Sequence, residues 1–187
     1  MPLLKEKVYT IDDIYLLPEG KRAELIDGQL YDMAPPNRRH QMLVFELHYQ
    51  IKDYIRRKGG SCEVYPAPFA VKLNADDKTY VEPDISVICN PAKLTEKGCT
   101  GAPDWIIEVV SPASKRMDYS IKLFKYRMAG VREYWILDAD KNRITVYDLE
   151  NDDMDDFSFS DAVKSRIYDD LTIDFSKIFF KNQDLKC

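Results

Sequence analysis

The sequence predicts an α/β fold built on a mixed sheet, and three observations carry that prediction. Residues 104–110, Asp-Trp-Ile-Ile-Glu-Val-Val, form a nearly unbroken apolar run of strand length, as a strand covered on both faces requires. Segments with helical spacing stand on either side of a group of strands. The order is helix, three strands, helix, strand, with a hairpin in front and an extension behind.

Each element has a local reason. Thr10 to Leu17 reads as a short helix, capped by Thr10 or Asp12 and stopped by Pro18-Glu19-Gly20. In residues 23–33 two apolar runs flank Asp27-Gly28, a strong hairpin signal. Pro35-Pro36-Asn37 breaks the chain before a helix at about 38–57. Val44, Leu47, His48, Ile51 and Ile55 keep helical spacing there, and Gly59-Gly60 ends it. Residues 62–73 read as a strand, with Pro66 and Pro68 pointing to an edge or bulge. Tyr80 to Cys89 and Asp104 to Val110 follow as strands. A helix at about 116–129 stops at Gly130. Strands at Glu133–Asp138 and Ile144–Leu149 come next. Residues 150–170 read as loop plus a short helix. Leu171 to Phe180 reads as a strand or helix packing back through Ile173, Phe175, Ile178 and Phe179.

A chain of 187 residues is sized for one domain. Its core would cover about 38–149, with the N-terminal helix and hairpin over 8–33 and an acidic segment over 150–187. Hydrophobic residues at 45% exclude a wholly disordered chain, and no apolar run is long enough to span a membrane. The N-terminus lacks a secretory apolar core, so a cytoplasmic location is expected. Cys62, Cys89, Cys99 and Cys187 show no CxxC spacing, and free thiols are expected.

The net charge of −5 argues against a nucleic-acid partner until its distribution is read. Residues 148–174 hold ten acids and two bases, a balance of −8, which leaves +3 elsewhere. Within 110–132, six Lys/Arg face only Asp118.

The informative residues are acids where a core should be. Strand alternation puts Ile106, Glu108 and Val110 on one face, and both faces of that strand are apolar. A buried carboxylate there needs a cation or strong hydrogen bonds. In the preceding strand Glu82, Asp84, Ser86 and Ile88 share a face. If the strands are neighbours, Asp84 and Glu108 project side by side, an oxygen setting that suits Mg²⁺. Structural ion pairing is the competing account. On the following helix, Asp118, Lys122, Tyr126 and Ala129 lie on one face, beside the stripe Met117, Ile121, Phe124 and Met128 that would meet the sheet. Lys122 then either snorkels to solvent or turns inward to the acids. Turned inward, it would matter to chemistry while its loss spares stability.

These pieces resemble the PD-(D/E)XK nuclease superfamily, and within it the Uma-two family of restriction endonucleases. The resemblance runs over about 8–180. It rests on Ala23-Glu24-Leu25-Ile26-Asp27-Gly28, the Pro35-Pro36 break followed by His40, and Glu82-Pro83-Asp84. It continues through Ile107-Glu108-Val109-Val110-Ser111-Pro112, Asp118, Lys122, Tyr126, Gly130-Val131, Glu133-Tyr134-Trp135 and Asp138. It implies a restriction-endonuclease-like core in which Pro83-Asp84 supplies "PD" and Glu108 the following acid. Val110 stands where the plain signature has lysine, and the resemblance assigns that role to Lys122. Glu24 and His40 match the pattern too; each is either a supporting residue of the site or a plain turn or capping residue. His48, Tyr134 and Trp135 are expected to pack.

The resemblance implies a metal-dependent DNA endonuclease. Asp84, Glu108 and the backbone carbonyl of Val109 would hold Mg²⁺ or Mn²⁺. Lys122 would position water or offset phosphate charge. Lys115, Arg116, Lys125 and Arg127 would meet DNA phosphates. A homodimer is the assembly with which such nucleases often cut two strands. The alternative, from another functional class, is a non-catalytic nucleic-acid or protein interaction module that keeps the fold.

Overall fold

The computed structural model describes residues 7–112 and 114–180, with the side chains of Phe179 and Phe180 left aside. Cys187 lies outside the described residues, as does the expected packing of Phe179. The N-terminal part holds α1 (Ile11–Tyr15), β1 (Ala23–Ile26), β2 (Gln29–Asp32) and α2 (Arg38–Arg57). The short strands β3 (Glu63–Pro66), β4 (Val71–Lys72), β5 (Tyr80–Val81), β6 (Ile85–Ile88), β7 (Leu94–Thr95) and β8 (Gly98–Thr100) follow. Then come β9 (Trp105–Val109), a π-helical turn over Met117–Lys122 that runs straight into α3 (Leu123–Ala129), and β10 (Glu133–Asp138). The chain closes with β11 (Arg143–Asp148), β12 (Asp153–Phe157), β13 (Ala162–Lys164), β14 (Thr172–Asp174) and α4 (Phe175–Phe180).

The central sheet has the order β12-β11-β10-β9-β6-β3. Only β9 and β10 pair in parallel, so the sheet is mixed, and the helix–three strands–helix–strand order is present as α2, β3, β6, β9, α3 and β10. A second six-stranded sheet has the order β2-β1-β5-β4-β8-β7. The expected strands at 62–73 and 80–89 each divide between the two sheets, because Pro66 and Pro68 interrupt the first and Pro83 the second.

Apolar residues hold α2 to one face of the central sheet. Asn37 caps the helix, its side chain accepting from the His40 N–H at 2.9 Å. Leu43, Val44, Leu47, Ile51 and Ile55 are buried together with Trp105, Ile107 and Trp135 of the sheet. Trp105 and Trp135 meet edge to face at 4.8 Å. Ile106, Tyr134 and Ile136 point to the opposite face and pack with Tyr126 of α3. Gly130, at φ 89, closes α3 in the left-handed conformation.

Three readings of the sequence need correcting. Cys62 and Cys89 are not free thiols but form a disulfide. The register Glu63↔Ile88 of β3 and β6 makes these two cysteines the next cross-strand pair, a neighbourhood that spacing along the chain cannot reveal. Cys99 is free and buried. In the acidic segment the expected short helix is absent among the described residues, and β12 and β13 stand there instead. Arg143 grips Asp156, and Arg166 pairs with Asp155, which makes an acid-rich strand tolerable. Residues 171–180 are strand and helix in turn, β14 then α4. Finally, Phe124 and Met128 are exposed, at 57% and 70%, while Asp118, Lys122 and Tyr126 of the same helix are buried. The polar line faces the sheet, and of the expected apolar stripe only Met117 and Ile121 pack against it, half-buried.

Candidate active site

The site grows from the pairing of β6 and β9. The antiparallel register Ile85↔Ile107 puts Asp84 directly across from Glu108, on the sheet face that α3 covers. The two acids are stitched through backbone groups. The Asp84 N–H donates to Glu108 Oε2 at 3.3 Å, and the Val109 N–H donates to Asp84 Oδ2 at 2.8 Å. His40, in the first turn of α2, lies with Nε2 3.0 Å from the same Oδ2. Asp84 Oδ1 accepts no hydrogen bond among the described residues. The half-buried Asp84 side chain marks the mouth of the site.

Behind this mouth lies a buried charge cluster. The Lys122 ammonium is 2.9 Å from both Glu24 and Glu108, and 3.7 Å from Asp118. The Tyr126 hydroxyl donates to Glu108 Oε1 at 2.9 Å. Glu24 reaches the cluster from the β1–β2 hairpin. The turn at Asp27 and Gly28 has positive φ at both residues, which reverses the chain tightly enough to return it to the sheet. Its other oxygen accepts the Glu82 N–H at 2.9 Å, tying the hairpin to the segment that carries Asp84. The π turn aims Asp118 and Lys122 inward together, and such turns recur at functional sites.

Four acids thus share one lysine ammonium and one histidine. Burial pushes the Glu108 carboxyl well above the usual carboxylate range, against the pull of the Lys122 ammonium; Asp84, Asp118 and Glu24 push it further up. Burial likewise drives the Asp118 carboxyl up to about 6, again against Lys122. Burial alone would lower the Lys122 ammonium, but Glu108, Glu24 and Asp118 outweigh it and hold the group protonated. The cluster is short of positive charge, and it can make up the deficit with protons or with a bound cation.

The structure brings Asp84, Glu108, Lys122, Glu24 and His40 together. Val109 is adjacent, its N–H committed to Asp84. Asp118 and Tyr126 belong to the same cluster without having been assigned a separate role from the sequence; their signal was the i, i+4, i+8 line with Lys122. The four basic residues expected to meet DNA lie outside it. Lys115 pairs with Asp138 at 2.6 Å, Lys125 with Asp27 and Arg127 with Asp152, while Arg116 is exposed. Tyr134 and Trp135 pack as expected. His48 is half-buried, with Nε2 3.3 Å from the Val64 carbonyl.

The fold is one already seen in a protein class described as nucleases. A crystal structure from Anabaena variabilis, described as "a putative nuclease belonging to DUF820", superposes with a TM-score of 0.75. It covers 91% of this chain and 97% of its own, at 19% identity, a likeness of fold. The family described as "Uma2: Putative restriction endonuclease" matches residues 10–174, and the chain belongs to that family. An uncharacterized protein of Synechocystis sp. is 25% identical over 138 residues, 73% of this chain and 70% of its own length.

Proposed function

We propose that the protein is a metal-dependent DNA endonuclease that hydrolyses phosphodiester bonds at Asp84 and Glu108. The observation that carries this reading is the Asp84–Glu108 pair, opposite each other on one sheet face, with Lys122 bound to the second acid.

The donor chemistry suits a hard divalent cation. Among the described residues, no three His, Cys, Asp or Glu side chains already converge as ligands. Two carboxylates with water and phosphate completing the shell are what Mg²⁺ commonly accepts, and the uncompensated acids favour a cation. Asp84 and Glu108 would hold Mg²⁺ or Mn²⁺, with the Val109 carbonyl as a further ligand. When bound, the metal polarises the scissile phosphate and makes a water acidic.

The remaining work falls to this chain's own groups. Lys122 favours the ionised form of Glu108 against its burial and orients it, and an ammonium proton not spent on Glu24 or Glu108 is available to a water or phosphate oxygen. Tyr126 fixes the other approach to Glu108 Oε1. His40 and the Val109 N–H hold Asp84 Oδ2, which leaves Oδ1 as the outward ligand. Incubating supercoiled plasmid with Mg²⁺ or Mn²⁺ tests the proposal: nicked or linear DNA that disappears on chelation supports it. A non-catalytic interaction module is the second reading. It is favoured by the three ion pairs of Lys122, which would serve structure even if no chemistry followed.

A further inference from the structure

A second polar feature lies beside the acidic site, and it carries the opposite charge. Pro112, Lys115, Arg116, Tyr119, Lys141 and Arg143 line an open pocket of about 440 Å³. Two of its cations are fixed. Lys115 is held by Asp138 at the end of β10, and Arg143 by a two-pronged bond to Asp156 at 2.8 and 2.7 Å. Arg116 and Lys141 are exposed, and their side chains have no acidic partner among the described residues; the Lys141 N–H donates to Asp138 Oδ1 at 3.2 Å. The half-buried ring of Tyr119 lies between these groups. Two fixed walls, two uncommitted cations and an aromatic side suit a phosphate joined to a sugar or base.

The location gives this pocket a purpose. Leu137 pairs with Val109, and its carbonyl accepts the Val110 N–H at 2.9 Å. Ile136 is the residue paired with Glu108, so Asp138, which anchors Lys115, begins the pocket one strand over and two residues further along the sheet, on the same face as Glu108. Asp118 and Tyr119 are neighbours on the π turn; one faces Lys122, the other lines the pocket. The first turn of α2 bridges both places. His40 reaches Asp84, while Arg39 donates to the Ala139 carbonyl, at the turn that carries Lys141, at 2.7 Å. Both features lie at the carboxyl ends of the parallel strands β9 and β10, where α/β sheets gather ligands. An acidic centre alone repels a polyanion, so something near it must hold the strand.

We propose that this pocket binds one backbone phosphate of the nucleic-acid strand flanking the cleaved bond, and so sets the strand's register on the carboxylates. The proposal rests on the nuclease reading and adds the place where the substrate is held. It also separates Lys115 and Arg116 from Lys125 and Arg127, which are paired with hairpin and loop acids away from this pocket.

The test is binding, read apart from cleavage. A short fluorescein-labelled duplex and its single strand are titrated by fluorescence anisotropy, with Ca²⁺ in place of Mg²⁺, across a salt series. Three proteins are compared: the parent, Arg116→Ala/Lys141→Ala, and Lys52→Ala/Lys164→Ala, which removes the same charge from exposed positions elsewhere. The pocket variant should bind the probe about tenfold more weakly and lower the salt slope by about one, the signature of one lost phosphate contact. The control variant should match the parent. If the parent binds and the pocket variant behaves as the control does, the pocket proposal is overturned and the nuclease reading stands. If the parent binds neither probe, both fall.

Discussion

The Lys122 ammonium lies 2.9 Å from the Glu24 carboxylate, joining the π turn to a hairpin that precedes it by almost a hundred residues. Glu108 takes the same ammonium at the same distance, so one cation neutralises acids from two separate sheets. The lysine is buried, and this changes what its removal should do. The sequence suggested that Lys122→Ala would spare stability. With Glu24, Glu108 and Asp118 left together and unpaired, the loss should instead reach about 3–5 kcal/mol. Urea unfolding in chelator measures it, and added Mg²⁺ should return part of the loss. A variant as stable as the parent would show that the acids do not need the ammonium.

Tyr126→Phe is a milder probe of the same cluster. It removes the hydroxyl that donates to Glu108 Oε1 and keeps the buried ring. The expected cost is about 1–3 kcal/mol, with the far-UV spectrum unchanged. Calorimetric melting decides it: no shift in Tm would mean the hydrogen bond adds nothing net.

Asp84→Asn should abolish most divalent binding while the fold persists, because the side chain sits at the mouth and keeps its shape. Titration calorimetry with Mn²⁺ reads the affinity directly. The parent should bind weakly in the absence of DNA, as two carboxylates leave most of the shell to water. Equal affinity in parent and variant would remove Asp84 from the ligand set.

The pH dependence of the metal-free protein has a definite sign. Burial raises the Asp118 carboxyl to about 6 from an ordinary value of 3.8, so the folded state holds its proton more tightly than the unfolded one. This group therefore makes stability fall as pH rises from about 4 through about 6, with no further change above. Asp118→Asn should remove that fall. Its stability relative to the parent should increase across the window by an amount of order 1–3 kcal/mol. Urea melts in chelator at both ends of the window give the comparison, and parallel curves would contradict it.

How much the sequence disclosed depends on which force decided each feature. Alternation put Asp84 and Glu108 each on a defined face of its strand, and the structure finds them opposite each other because the β6–β9 register brings those two faces together. The capping of α2 and the tight turn at Asp27-Gly28 were equally local. Long-range decisions were not legible. Nothing near Cys62 announces Cys89, which is brought across by the β3–β6 register. Helical period favoured Phe124 and Met128 as the buried face. The structure buries Asp118, Lys122 and Tyr126 instead, since those groups find charged partners on β1 and β9 that only the folded chain supplies. The hairpin delivers Glu24 to the Lys122 ammonium, one of the two roles the sequence left open for it.

In the proposed function, metal-dependent phosphodiester hydrolysis rests on Asp84 and Glu108. The most direct measurement is single-turnover cleavage of supercoiled plasmid by excess protein with Mg²⁺ or Mn²⁺, comparing the parent with Asp84→Asn and Glu108→Gln. The parent should cleave and stop on chelation, and each variant should lose about 10²-fold or more, the scale of removing one preorganised electrostatic contact. A parent that cleaves no better than its two variants, with either metal, would contradict it.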